Sequence, residues 1–245
     1  MGRAVARALR AIPPGPCFAA ALTIARAAAP ILVRVRAATR LGASRLDEPI
    51  ATALFVVLGY LHAKKTRFNV PFRVEGDVSL TVPGNTRAGI LVAAPASALN
   101  TLLARFVYEH HSEPLVVAAE LDSYPILGTA TSIPCLRISP TYMLTVRTAL
   151  AQNRVVLAMV EQTRSSRRTV DFDTTRGRVF VADSLIRLAS HCGARICFAT
   201  NHLGHNGEVV ITLESPQPAG TRTADSDVAA FVSFMQRHIA ARQAA

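Results

Sequence analysis

The sequence predicts an α/β fold with a mostly parallel central sheet flanked by helices, preceded by an N-terminal helical region. Short apolar runs of strand length alternate with longer segments whose apolar residues recur at helical spacing, which is typical of repeated βα units. The run GILVAA, residues 89–94, has no polar side chain, as expected of a strand covered on both faces. With 245 residues, half of them hydrophobic, the chain can bury a large core.

Residues 1–66 are predicted to form the N-terminal helical region, and residues 67–245 the α/β domain. The apolar segment 17–35 is interrupted by Arg26 and Pro30. A charge near the middle of a transmembrane helix costs about 2.5–3.5 kcal/mol, which disfavours a membrane span. Three alternatives stay open for this segment: a signal peptide, a helix lying on a membrane, and a helix packed on the domain itself. For the membrane alternative, the polar end of the helix is Arg34, Arg36 and Arg40.

The remaining elements follow in chain order. Strands are predicted at residues 72–80, 88–94, 114–120, 135–139, 154–160, 194–203 and 207–216, with a turn at Glu75–Gly76 and a hairpin-like turn at 203–208. Helices are predicted at residues 48–65, 98–111, 141–153, 181–193, with Gly193 as C-terminal cap, and 225–243. Residues 124–133 are predicted as a short helix or loop, and the stretch after residue 160 as a charged loop.

Ligands of open α/β sheets bind beyond the carboxyl ends of the strands. Four loops are predicted at that edge: residues 94–101, 119–125, 160–178 and 199–207. The first of them follows a buried strand and leads into a helix, where many α/β enzymes carry a catalytic group. Its residues 93–101, AAPASALNT, contain no His, Cys, Asp or Glu.

The formal charge of +11 suggests an anionic partner. Lysine occurs only at Lys64 and Lys65, and the basic residues are not interleaved with aromatic ones as they are in base-stacking surfaces. We therefore expect a membrane surface or an anionic substrate, and no nucleic acid. The four cysteines lack zinc-ligand spacing and are predicted to be reduced thiols, so no metal or cofactor is expected.

The loop at 160–178, VEQTRSSRRTVDFDTTRGR, is the richest in polar groups. Glu161 directly follows an apolar strand, and five arginines come after it. Guanidinium groups make bidentate contacts to phosphate, so this composition suits an anionic ligand. The alternative is a solvated basic loop whose arginines pair with Asp171 and Asp173.

The same loop resembles a block of the lysophospholipid acyltransferase superfamily, most of all in its lipid A late (lauroyl/myristoyl) acyltransferase branch. VEQTRSS is similar to the family's Phe-Pro-Glu-Gly-Thr-Arg-Ser block, with Glu161, Thr163, Arg164 and Ser165 in register. A second stretch is similar to the branch's aromatic-Gly-Arg segment and to the helix and strand after it. Its matching residues are Gly177, Arg178, Leu188, Ala189, Gly193 and Ala194. The resemblance covers roughly residues 70–218.

The resemblance implies general-base catalysis by a histidine, with an acidic residue five positions later that orients it. In this sequence the two positions are Ala96 and Thr101, and no histidine lies between His62 and His110. The dyad is therefore missing. A base from elsewhere would be Glu161 or a histidine; the histidines considered are His110, His111, His202 and His205.

We expect an enzyme that moves an acyl group from a CoA or acyl-carrier-protein thioester to a hydroxyl or amine acceptor, in a specialised pathway. The alternative is a catalytically inactive binding or scaffold protein of the same fold. The reduced thiols indicate a cytoplasmic chain, and its basic surface suits peripheral contact with the inner face of the plasma membrane.

The predicted site has two groups of residues. Glu161, Thr101 and Asn100 form the catalytic group, in which Glu161 accepts a hydrogen bond from the acceptor and the other two bind a carbonyl or headgroup. Ala96, Ser97, Arg164 and Arg178 form the substrate-binding group, in which the arginines hold phosphate. For Asn100 and Thr101 the alternative role is capping of the helix N-terminus.

Overall fold

A computed structural model describes residues 14–39, 49–78, 88–111, 113–118, 123–129, 131–162, 169–174, 177–215 and 223–244. These residues form an α/β fold with an eight-stranded, mostly parallel sheet, a three-stranded antiparallel sheet and six helices. The predicted fold class is confirmed.

The helices and strands have the following bounds. The helices are α1 (Pro14–Thr39), α2 (Pro49–Ala63), α3 (Asn100–His110), α4 (Tyr142–Ala151), α5 (Ser184–His191) and α6 (Ala224–Ala244). The strands are β1 (Phe72–Gly76), β2 (Ile90–Ala94), β3 (Leu115–Ala118), β4 (Ser123–Pro125), β5 (Ser132–Arg137), β6 (Val155–Met159), β7 (Glu161–Gln162), β8 (Thr169–Thr174), β9 (Gly177–Ala182), β10 (Arg195–Leu203) and β11 (Val209–Glu214).

The large sheet has the strand order β1-β11-β10-β2-β6-β3-β5-β4. The core strands β10, β2, β6, β3 and β5 run parallel, so their carboxyl ends meet at one edge. Strands β11 and β4 are antiparallel to their neighbours β10 and β5. The carboxyl edge therefore carries the loops after β2 and β6 side by side, with the end of β10 next to them.

The central strands are buried on both faces of the sheet. In β2, for example, successive residues belong alternately to two hydrophobic cores. Ile90, Val92 and Ala94 pack on the face covered by α1, α2 and α3. Leu91 and Ala93 pack on the other face, against α4, α5 and α6. This explains why β2 is continuously apolar in sequence.

Helices α1 and α2 pack against each other and share the core of the first face. One side of α1 is buried there and includes Cys17, Phe18 and Leu22, which agrees with the prediction of a helix packed on the domain. The division of the chain at residue 66 stays a prediction. Among the helices of the described residues, none combines the length and the apolar content needed to cross a bilayer.

The stretch after residue 160 is more ordered than the sequence predicted. Strands β7, β9 and β8 form a small antiparallel sheet, so the prediction of one loop at 160–178 is wrong for the residues that the structure describes there. The physical reason is burial at alternate positions: Phe172 in β8 is buried between two aspartates, and Val179 and Val181 in β9 are buried on one side of the strand. The predicted start of α5 at residue 181 is wrong for the same reason, since β9 continues to Ala182.

Two further predictions concern turns. Gly193 follows α5 with a φ of 64°, the left-handed conformation predicted for the residue that caps this helix. The prediction of a short helix or loop at 124–133 is wrong at both ends, because the chain forms β4, a turn and the start of β5. These strands are short and pair locally, and Pro125 lies at the end of the edge strand β4.

Arg105 fixes α3 to the neighbouring loops. Its guanidinium donates from Nη1 to the carbonyl oxygens of Phe68 and Leu127, both at 2.8 Å, and from Nε to Glu109 at 2.7 Å. The residue is 6% exposed. A lysine has one ammonium group in place of this fork and cannot hold all three partners.

We expect Arg105→Lys to lower the free energy of unfolding by about 1–3 kcal/mol, because a buried carbonyl loses its donor. Chemical denaturation measures the change, and the exposed Arg147→Lys is the matched control. Equal stability of both variants would show that the fork does not hold α3.

Candidate functional site

The candidate site is built at the carboxyl edge by the turn between β2 and α3, residues 95–99. Parallel pairing brings the end of β6 beside the end of β2, with Met159 opposite Ala94. The backbone of the next residue continues this contact, since the Val160 N–H donates to the Ala94 carbonyl at 2.9 Å. Glu161 is the next residue, so the pairing of β6 with β2 places its carboxylate beside the turn.

The Glu161 carboxylate contacts the turn directly. Its Oε2 accepts a hydrogen bond from the Ala96 N–H at 3.1 Å. Both residues are partly exposed, so the carboxylate and the turn are open to a ligand. Two residues predicted to share a site, 65 positions apart in sequence, are therefore in contact.

A chain of side-chain hydrogen bonds ties the turn to β10. Ser97 Oγ donates to Asn201 Oδ1 at 3.1 Å, and Asn201 Nδ2 donates to Asn100 Oδ1 at 3.1 Å. Asn100 Nδ2 then donates to the Pro95 carbonyl at 2.8 Å. Asn201 is 1% exposed and Asn100 3%. We call these three side chains, Ser97, Asn201 and Asn100, the amide chain.

The amide chain fixes the shape of the turn, and none of its members can accept a proton at neutral pH. Ser97 Oγ also accepts a hydrogen bond from the Leu99 N–H at 3.2 Å, so this hydroxyl both donates and accepts a hydrogen bond. Ser97 is not among the described residues with a positive φ, so its backbone is outside the left-handed region. The amide chain can position a ligand, and Glu161 supplies the ionisable group.

The capping alternative for Asn100 and Thr101 is not what the structure shows. Helix α3 begins at Asn100, and Leu99 is its N-cap residue, without a side-chain cap. The amide of Asn100 is used in the amide chain instead. The hydroxyl of Thr101 is buried without a hydrogen-bond partner in the described residues.

The alternative bases lie in other places. His110 and His111 follow the last turns of α3, about 15 Å along the helix from Asn100 and toward the opposite edge of the sheet. His202 directly follows Asn201 on β10, so its side chain points to the other face of the sheet. His205 is exposed in the turn after β10. Among these proposed bases, Glu161 accepts a hydrogen bond from the backbone of the turn.

Arg178 lies on the exposed face of β9. Its Nε is 3.2 Å from a carboxylate oxygen of Asp171 and 3.2 Å from one of Asp173. The hydrogen bond with Asp173, and then the charges of Asp171 and Asp173, raise the pKa of this guanidinium. It lies three residues along β9 from Val181, the partner of Glu161, or roughly 10 Å of strand. The ion pairs of Arg178 with Asp171 and Asp173 match the alternative prediction of a solvated basic loop. Arg164 lies outside the described residues.

A cleft lies at the opposite edge of the sheet, away from the turn at residues 95–99. This cleft has a volume of about 960 Å³ and is lined by residues from the end of α3 and from the amino ends of β3 and β5. Its lining includes Tyr108, His110, His111, Pro114, Thr131 and Arg154. Two of the alternative bases belong to this cleft and not to the turn that contacts Glu161.

The cysteines form no disulfide, and Cys17 and Cys197 are buried. Burial raises the pKa of the Cys197 thiol to about 12, with a smaller effect of Asp77, so this thiol is protonated at neutral pH. In the parts of the chain that the structure describes, no three His, Cys, Asp or Glu side chains are grouped to hold a metal ion.

Asn201 is the site residue that sequence reasoning missed. A signal was present: Cys197, Ala199 and Asn201 share one face of β10, and the first two are apolar and buried. A single amide in phase with buried residues indicates a partner in the core.

We expect Asn201→Ala to lower the free energy of unfolding by about 1–3 kcal/mol, because the side-chain carbonyl of Asn100 loses its donor and the O–H of Ser97 loses its acceptor. In a double-mutant cycle, Asn100→Ala and Asn201→Ala should couple by about 0.5–3 kcal/mol. Chemical denaturation of the four proteins measures both quantities. The exposed Asn206→Ala is the control, and strictly additive effects would show that the amide chain is not a unit.

The fold and the candidate site define an α/β protein in which the carboxyl edge of the sheet carries the Glu161 carboxylate and the amide chain. No model of a known protein family matches the chain, and no curated protein matches it in sequence. The resemblance to the lysophospholipid acyltransferases therefore stays a prediction from the residues that carry it.

Proposed function

We propose that the chain transfers an acyl group from a CoA or acyl-carrier-protein thioester to a hydroxyl or amine acceptor, with Glu161 as the general base. The observation that carries this proposal is the 3.1 Å hydrogen bond from the Ala96 N–H to Glu161 Oε2. Ala96 occupies the position that the resemblance gives to the catalytic histidine. A carboxylate thus lies beside the position of the missing base.

The reaction would proceed by one displacement. Glu161 takes the proton of the acceptor O–H or N–H while the acceptor atom attacks the thioester carbonyl carbon. The carbon–sulfur bond breaks, and the departing thiolate takes up the proton from Glu161, so that it leaves as the thiol and Glu161 returns to its carboxylate form. A carboxylate is a weaker base than imidazole, so holding the two substrates together has to supply much of the rate.

The neighbouring residues have supporting roles in this proposal. The amide chain holds the turn in place, and for Asn100 this positioning role replaces direct contact with the substrate, since both ends of its amide are used within the protein. Helix α3 begins at this edge, and its partly positive N-terminus favours the negative charge that develops on the carbonyl oxygen. Thr101 contributes a buried hydroxyl that has no hydrogen-bond partner in the part of the chain that the structure describes.

The location of the reaction is also a proposal. We place the chain in the cytoplasm, peripheral on the inner face of the plasma membrane, because its formal charge of +11 is attracted to anionic lipid. Arg164 would hold a phosphate of the donor or acceptor.

A second candidate function is a catalytically inactive protein that binds an acyl thioester or a partner. It is favoured by the amide chain, in which hydrogen bonds satisfy Asn100 and Asn201 and no member titrates. A turn that is held in this way can bind a ligand without any chemistry.

Product mass spectrometry tests the proposal. The purified chain is incubated with acyl-CoA and acyl-carrier thioesters and with hydroxyl and amine acceptors. An acylated acceptor above the no-enzyme background supports acyl transfer. Bound thioester without product in any combination supports the second candidate, and neither binding nor product contradicts both.

A further inference from the structure

Helix α2 is apolar on two sides. It has no Asp, Glu, Lys or Arg over its 15 residues. One side, which includes Leu54 and Leu58, is fully buried in the core, as expected of a packed helix. The other side leaves Phe55 39% exposed, Val56 55% and Tyr60 37%. A helix that is apolar all round is ordinarily covered all round, so this exposed side requires an explanation.

The exposed residues form one continuous stripe. Phe55 and Val56 are adjacent, and Tyr60 follows Val56 by four positions, which places the three side chains on one side of the helix over two turns. Gly59 lies between them, and a Cβ added there would meet no atom within 4 Å, so this side of the helix is open. We call Phe55, Val56 and Tyr60 the exposed α2 stripe.

Positive charge is concentrated at the end of this stripe. Lys64, Lys65 and Arg67 are exposed directly after α2, and the two lysines are the only ones in the chain. Lys64 Nζ lies 5.8 Å from the centre of the Tyr60 ring, so a cation borders the stripe itself. The sequence has no acidic residue between Glu48 and Glu75, so this segment carries positive charge only.

We propose that the exposed α2 stripe, together with Lys64, Lys65 and Arg67, docks on an anionic membrane surface, with α2 lying in the plane of the interface. Aliphatic and aromatic side chains enter the boundary between headgroups and acyl chains, a tyrosine sits at headgroup level, and lysines reach the phosphates. Anionic lipid offers the opposite charge to the cluster, whereas a second copy of a chain with a formal charge of +11 offers the same sign. The inference gives the proposed membrane contact a surface, and it requires no acyl transfer.

Fluorescence of an introduced tryptophan tests the docking. The chain has no tryptophan, so Val56→Trp places the sole indole in the stripe, and Leu144→Trp places one at a residue that is 63% exposed on α4. With vesicles of phosphatidylcholine and phosphatidylglycerol, we expect a blue shift of emission for Val56→Trp and none for Leu144→Trp. With phosphatidylcholine alone, both shifts should be absent or much smaller, because the cationic cluster has no partner.

Vesicle flotation of the tryptophan-free chain gives the binding constants. Phe55→Ser/Val56→Ser should bind about tenfold or more weakly, since the apolar contact is lost. Lys65→Gln should bind about fivefold more weakly. The controls Ile138→Ser/Leu144→Ser and Arg147→Gln change exposed residues of the same kinds elsewhere and should bind like wild type. Circular dichroism checks that each variant is folded. If Phe55→Ser/Val56→Ser does not fold, the comparison of Lys65→Gln with Arg147→Gln still tests the docking.

Three results would overturn the inference. The first is the absence of wild-type binding to anionic vesicles. The second is equal binding by the stripe variants and their controls. The third is a dimer in solution that Phe55→Ser/Val56→Ser converts to a monomer without any vesicle binding, which would make the stripe a self-association surface. Failure of acyl transfer leaves all three readouts unaffected, because none uses a thioester.

Discussion

Glu161→Gln is expected to lower the rate of acyl transfer by about 10²- to 10⁴-fold while thioester binding is retained. The glutamine carbonyl can still accept the hydrogen bond from the Ala96 N–H, so the turn keeps its shape. What is lost is the proton acceptor. Steady-state rates with a thioester donor, measured beside a binding assay, separate the two effects.

The control for this variant is Glu113→Gln. Glu113 is an exposed carboxylate that lines the cleft at the amino edge, so its loss should leave the rate unchanged. Transfer that survives Glu161→Gln, or that falls equally in both variants, would exclude Glu161 as the base.

Restoring the missing dyad is expected to raise the rate of transfer by about 10²-fold or more over wild type. The variant is Ala96→His combined with Thr101→Asp. Ala96 is partly exposed beside the Glu161 carboxylate, so an imidazole has room and an anionic neighbour that stabilises its protonated form. An aspartate in the first turn of α3 is favoured by the helix dipole.

The matched control moves the imidazole by two residues, as Ala98→His with Thr101→Asp. Ala98 belongs to the same turn and is partly exposed, but it is not at the position that the resemblance gives to the base. Only the variant at residue 96 should gain rate. A gain in both, or in neither while both remain folded, would contradict the match between this turn and the catalytic turn of the acyltransferases.

Much of the large sheet could be predicted because its central strands are short, apolar and separated by helices of ordinary length. Strands β2 and β6 both lie within runs that the sequence marks, and their buried pairing explains the absence of polar residues. The small antiparallel sheet was missed because the apolar residues of β8 alternate with aspartates, and because β8 and β9 lie in a segment rich in arginine. The high charge of this segment suggested a loop, whereas the alternation in β8 indicates a strand, which pairs with β9.

The site divides in the same way. Glu161 could be predicted because a lone carboxylate at the end of an apolar strand is a local feature. The amide chain could not be assembled from sequence, since its bonds join residues 101 and 104 positions apart. The pairing of β10 with β2 brings Asn201 to the turn. The sequence of β10 indicates a buried asparagine, but it does not indicate which residues Asn201 contacts.

The most direct test of the account is to map where an acyl thioester binds. The probe is an analogue in which a methylene replaces the thioester sulfur and a photoreactive diazirine lies near the carbonyl. After irradiation and digestion, mass spectrometry identifies the labelled residues. The account predicts labels in the turn at 94–101 and around Glu161, and weaker labelling when unmodified acyl thioester competes. Labels confined to the opposite cleft, at 108–114 and 131–134, would contradict it.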